Sequence, residues 1–334
     1  MKLASKKSIE MSFGMIFSII AGAVIIFIAI YATARFVQTS QYELGSESAK
    51  SLVNMLSPVV NSISTAYAPA PIKFKKETRI YTFCETYTSL SPIFGRQVIG
   101  FSEQSGFLKK WPNPSANITR YNKYIFAEDV LQGKTVYIFS KPFYLGYKVD
   151  DLIYLSTKNY CFVTAPDFAE EELTDLNLKN VNFTNRIDLC REDTLKVCFD
   201  FPSNKCNVSV YPEGAGESYE KGRVVRRNAD TVKYAGSALM YAAIFSSPKI
   251  YECNIKRLGM KANELGMIYN EKIDIVEMKE CNSIIKPYIS EILAISRNLS
   301  SSKLSAVYDE ALLMDEQNCK AECEIYSPSA EACF

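Results

Sequence analysis

The strongest constraint in this chain is a run of 24 residues, Met11–Ala34, without a charged side chain. A helix of that length rises about 36 Å at 1.5 Å per residue, enough to cross a hydrocarbon core of about 30 Å. The apolar part of a secretory signal is only about 7–15 residues long and ends in a small-residue cleavage site. Here the run is longer, and Ala32–Thr33–Ala34 leads directly into Arg35. Lys2, Lys6 and Lys7 stand before the run, against Arg35 just after it. This bias predicts a cytoplasmic leader at residues 1–10, a transmembrane helix at 11–34 that acts as an uncleaved signal anchor, and an extracellular remainder. Gly14, Ser18 and Gly22 recur every four residues and mark a helix-packing face where a second backbone can approach closely.

Beyond the span, Leu52, Leu56, Val59, Val60 and Ile63 follow one helical face. Residues 35–68 therefore read as an amphipathic helical stalk, kinked at Pro58 and interrupted near Gly45. The basic leader, Glu10, the long apolar helix and the amphipathic extension together resemble archaeal type IV pilin-like proteins. SIEMSFGMIFSII, with YAAIFSSPKIYECNIKRL at residues 241–258, is also similar to uncharacterised single-pass surface proteins of archaea. The pilin resemblance implies a filament subunit packed through its N-terminal helix. This chain departs from the pilin pattern in having Ser8 after the Lys6–Lys7 pair and Glu10 before the apolar run.

The predicted fold class is α+β: a transmembrane helix, a disulfide-bonded and mainly β ectodomain over 69–236, and a helical subdomain over 237–334 with a cysteine-rich C-terminus. All ten cysteines (Cys84, Cys161, Cys190, Cys198, Cys206, Cys253, Cys281, Cys319, Cys323 and Cys333) lie on the side the charge bias places outside, where disulfides persist. Four glycosylation sequons lie there too, at Asn117, Asn182, Asn207 and Asn298.

Short aromatic and β-branched runs such as IKFKKETRIYTF, KTVYIFSKPFYLGY and NYCFVTA predict strands. LKVCFDFPSNKCNVSVYP reads as a hairpin turning at Pro202–Ser203–Asn204, with Cys198 facing Cys206 if the loop has three residues. PDFAEEELTDLNLKN reads as a polar loop or short helix. From Ser247–Pro248 onward, three apolar stripes predict three helices: Tyr251 to Tyr269, Ile285 to Ile295, and Leu304 to Leu312. Antiparallel packing of those helices sends Cys281 to the C-terminal cysteines and Cys253 to a partner in the sheet.

The chain has no histidine, which excludes Ser-His-Asp and Cys-His catalysis and histidine-ligated zinc. A net charge of +1 without long charge blocks speaks against a nucleic-acid partner. Cys319-x-x-x-Cys323 lacks the paired C-x-x-C units of a zinc ribbon and reads as two disulfide halves. Glu170–Glu171–Glu172 reads as a solvated acidic stretch, and Arg223, Arg226 and Arg227 as charges guarding an exposed strand edge. No catalytic residue, cofactor or metal site is predicted. The expected role is a membrane-anchored structural, adhesion or surface-assembly protein, with other surface proteins or copies of itself as partners. The alternatives are a pilin-like filament subunit and an exported carboxylate-dependent glycan hydrolase.

Overall fold

The computed structural model describes residues 20–31, 67–68, 70–87, 94–104, 111–114, 116–200, 204–214, 218–278 and 284–318. Residues 20–31 form helix α1. Among the described residues no helix is long and apolar enough to cross a membrane; the described part of α1 rises about 18 Å. The rest of the expected span, the leader, Gly14 and Ser18 lie outside the described residues, and a Cβ on Gly22 would meet nothing within 4 Å. Of the expected stalk, Tyr67 and Ala68 are described. Tyr67 is extended rather than helical, exchanging backbone hydrogen bonds of 3.0 and 2.8 Å with Ser140.

The fold is mixed α+β, with two six-stranded sheets, helices and three disulfides. The first sheet contains β1 (Ile72–Glu85), β2 (Arg96–Glu103), β3 (Ala116–Arg120), β4 (Tyr124–Phe126), β5 (Val130–Tyr144) and β6 (Lys148–Ser156), in the order β3-β2-β1-β5-β6-β4. The long β5 joins its two halves, pairing with β1 through Val130–Val136 and with β6 through Tyr137–Tyr144. The second sheet contains β7 (Tyr160–Val163), β8 (Val181–Thr184), β9 (Leu195–Phe199), β10 (Val208–Pro212), β11 (Lys221–Arg226) and β12 (Val232–Ala235), in the order β12-β11-β10-β9-β7-β8. Helix α2 (Asp167–Asp175) joins β7 to β8, the usual helical crossover of a parallel pair.

The expected hairpin at 195–212 is corrected: β9 and β10 run parallel, with Val197 opposite Val208. After Phe199 the chain turns at Asp200, whose φ is 45°, and doubles back far enough for Val208 to re-enter beside Val197. Cys198 and Cys206 are disulfide-bonded nonetheless, across this return loop and not across a hairpin. The basic stretch at Arg223–Arg227 is corrected as well. β11 lies inside its sheet between β10 and β12, and Arg226 donates to Glu128 (2.5 Å) and to the Ala243 and Ile244 carbonyls.

Between the sheets runs α3 (Ser237–Phe245), in which every residue from Ala238 to Phe245 is buried. Such a helix has no polar face to give to water, so it sits in the core. Its surroundings are aromatic: Phe139, Tyr154, Tyr160 and Phe162 all pack around Phe245. Two of the buried tyrosines near it satisfy their hydroxyls directly, Tyr154 donating to the Ala238 carbonyl and Tyr241 to Glu172.

Helix α4 (Pro248–Glu277) begins where the Ser247 hydroxyl accepts the Ile250 N–H. It packs on α5 (Lys286–Ser296), and α5 packs on α6 (Leu304–Asn318). The α6 core face is Leu304, Val307, Ala311 and Met314, so the expected Leu312 lies on the solvent side.

Among the described residues three disulfides form: Cys84–Cys253, Cys161–Cys190 and Cys198–Cys206. The first ties β1 to α4 across 169 residues of sequence, and constraining so long a loop in the unfolded chain stabilises the fold by about 5 kcal/mol, against about 2.5 for the short Cys198–Cys206 loop. Replacing Cys84 and Cys253 together by Ser is expected to lower the thermal midpoint by roughly 10 °C. The Cys198/Cys206 pair is expected to cost about half as much in the same calorimetric experiment.

Candidate functional site

Helix α4 can carry a site because three contacts fix it against the first sheet. Cys253 is bonded to Cys84 of β1. One turn on, the Arg257 side chain is wholly buried and donates to the carbonyls of Phe94 (2.9 Å), Lys123 (3.0 Å) and Tyr121 (2.6 Å) and to Asn254 Oδ1 (2.8 Å). A further turn on, Lys261 pairs with the buried Asp150.

The Tyr124 ring lies under the Arg257 guanidinium at 4.7 Å, a cation–π contact strengthened by the absence of water. Burial pushes the Arg257 pKa down to about 10, with Tyr124 and Asp150 opposing the fall, so the guanidinium stays charged at neutral pH. The same burial pushes the Tyr124 phenol well up.

On another face of α4, Lys256, Met260, Asn263 and Glu264 line a groove of about 480 Å3. Thr86 and Tyr87, which follow β1, form one further wall, and Arg297–Ser300 between α5 and α6 form the other. The second wall can lie close because α4 has glycine at two positions seven residues apart. A Cβ on Gly259 would stand 2.4 Å from Leu299 Cβ and 2.6 Å from the Ser296 carbonyl; one on Gly266 would stand 2.9 Å from Leu293 Cδ2. Asn263 then donates to the Leu293 carbonyl (2.7 Å) in the last turn of α5.

Chemically the groove offers cations from Lys256 and Arg297, amides from Asn263 and Asn298, hydroxyls from Thr86 and Ser300, the Tyr87 ring and the Met260 thioether. These groups bind and stack. Among the described residues Glu264 is the one carboxylate lining it, and they do not supply the facing pair that glycoside hydrolysis uses.

The candidates from sequence fall elsewhere. Glu172 is engaged by Lys141 and by the Tyr241 hydroxyl (3.0 Å), tying α2 to β5 and α3. Cys161, Cys190, Cys198 and Cys206 gather in one small cluster around Val163. Cys281, Cys319, Cys323 and Cys333 lie outside the described residues. Asn117, Asn182 and Asn298 are exposed, whereas Asn207 is half-buried and accepts the Lys196 N–H. Among the described residues no group of three or more Cys, Asp or Glu is placed to hold a metal ion.

Of the groove, sequence reasoning had noted Asn298, and only as a sequon. One sequence signal bears on the rest, Gly259 and Gly266 inside a helical pattern; Asn254 and Arg257, interleaved with the apolar stripe of Tyr251, Ile255 and Leu258, mark instead the face of α4 fixed to the first sheet.

No family model, curated protein or solved structure matches this chain.

Arg257→Met removes every donor from the Phe94, Tyr121 and Lys123 carbonyls, and urea unfolding is expected to show a loss of about 3–5 kcal/mol. Gly259→Ala drives a methyl into Leu299 and Ser296 and is expected to cost about 1–3 kcal/mol. Amide exchange in Arg297–Ser300 should rise with that substitution, because the loop must leave α4.

Proposed function

We propose that this is a membrane-tethered extracytoplasmic protein with a structural, adhesive or surface-assembly role, whose α4 groove is the binding face of the outer domain. The observation that carries the reading is the character of α1. Ile20, Val24, Ile25, Ile26, Phe27, Ile28 and Ile30 are 51–71% exposed, and at about 100° per residue they surround the helix. A helix apolar on every side needs an apolar environment on every side. The uncharged sequence on both flanks, Met11 to Ala34, supports lipid as that environment. Three disulfides support an oxidising location for the domain that follows, and the lysines before the span support an N-terminus in the cytoplasm.

The experiment is alkaline carbonate extraction of membranes from cells making the full chain, followed by protease treatment of intact cells. The expected result is a protein that stays with the membrane and loses its outer domain to external protease. Release by carbonate, or full protection from protease in cells whose surface proteins are digested, would overturn the reading. The filament version makes a separate demand: mechanical shearing should release the chain in fibres with its N-terminus cut before Glu10.

A further inference from the structure

The two sheets end in four edge strands: β3 and β4 in the first, β8 and β12 in the second. At two of these edges a side chain of α4 bonds a backbone carbonyl of the edge strand. At β4, the Gln97 side chain accepts the Ile125 N–H (2.8 Å) and donates to its carbonyl (2.6 Å), and Asn254 of α4 donates to the same carbonyl (2.9 Å). At β12, the Tyr251 hydroxyl of α4 donates to the Lys233 carbonyl (2.7 Å). Among the described residues, β3 and β8 are hydrogen-bonded to a neighbouring strand on one side only. An open edge of this kind is a template for strand addition from another chain.

Each open edge carries one sequon on the strand itself: Asn117-Ile-Thr on β3 and Asn182-Phe-Thr on β8. Both asparagines are exposed. Asn117 stands opposite Gly100, which has no side chain; a Cβ there would lie 2.9 Å from Asn117 Oδ1. Asn182 stands opposite Cys161 of β7. The strands at the other two edges, β4 and β12, carry no sequon. The sequon inside the second sheet, at Asn207, has its amide oxygen engaged by Lys196.

We propose that N-linked glycans on Asn117 and Asn182 guard the two open sheet edges. This rests on the extracytoplasmic reading, because the donor is a polyprenyl-phosphate-linked oligosaccharide used outside the cytoplasm. In the transfer, the bond between the sugar C1 and the lipid phosphate oxygen breaks and a C1–Nδ2 bond forms. The amide loses one proton, and the lipid phosphate leaves with the electron pair. An added strand would lie about 4.8 Å from the edge. A bulky, hydrated sugar rooted on the edge strand fills that space and leaves the fold beneath untouched.

The test begins with peptide mass spectrometry of the full chain purified from membranes of the cells that make it, alongside protease treatment of those cells. Glycan on both Asn117 and Asn182 is the expected result. The Asn117→Gln/Asn182→Gln double variant, in detergent, should form larger assemblies than the wild type, with its disulfides intact. Enzymatic removal of glycan from the folded wild-type chain should give the same shift in size without any substitution. Unmodified Asn117 or Asn182 in a domain digested from outside would overturn the proposal and leave the location standing. Unchanged assembly size after both sugars are lost would overturn the guarding role. A domain shielded inside the cell would remove the location and the glycans together.

Discussion

A buried guanidinium hydrogen-bonded chiefly to backbone carbonyls organises this domain. Arg257 gives its N–H groups to the carbonyls of Phe94, Tyr121 and Lys123 and to Asn254. Those carbonyls lie just before β2 and on the turn between β3 and β4. One side chain thus satisfies segments that have no ladder of their own to join, and it does so from the middle of a helix. Burying the charge costs desolvation, which is offset by hydrogen bonds to several carbonyl dipoles and by the Tyr124 face. Arginine suits this task because its donors are fixed in a planar fork, where lysine would supply a single point charge.

The Cys84–Cys253 bond stands one turn from Arg257 and acts on the same contact by other means. The arginine stabilises the folded arrangement, while the disulfide restricts the unfolded chain. Together they hold α4 on the first sheet, and α4 in turn bonds the β4 and β12 edge strands through Asn254 and Tyr251. The groove follows from the same placement. Its α4 side is rigid, and Gly259 and Gly266 set how closely the α5 side can approach.

Much of the fold was legible in the sequence where a single periodicity dominated. The alternating aromatic and β-branched residues of β1, β5 and β6 and the apolar stripe of α4 gave those elements directly. Short strands such as β4 and β12 were missed because three or four residues carry too little pattern, and they are defined by what packs on them. α3 lacked a polar face, so its sequence had no amphipathic signal although all of its centre is buried. The β9–β10 pair misled for a different reason. The cysteine spacing and the Pro-Ser-Asn turn chemistry fit a hairpin, while strand direction was decided by a return loop that local sequence does not encode. The groove was hidden because its walls come from three separated segments, and the residues that shape it are two glycines.

The α4 staple and the extracytoplasmic location proposed above both bear on one chemical state, the oxidation of the cysteines in the living cell. Intact cells can be treated with a thiol-alkylating reagent before lysis and the protein then mapped by non-reducing peptide mass spectrometry. The linked peptide pairs are expected to include Cys84–Cys253, Cys161–Cys190 and Cys198–Cys206, with none of these six cysteines alkylated. Alkylated thiols at Cys84 and Cys253 in untreated cells would contradict both the staple and the extracytoplasmic location.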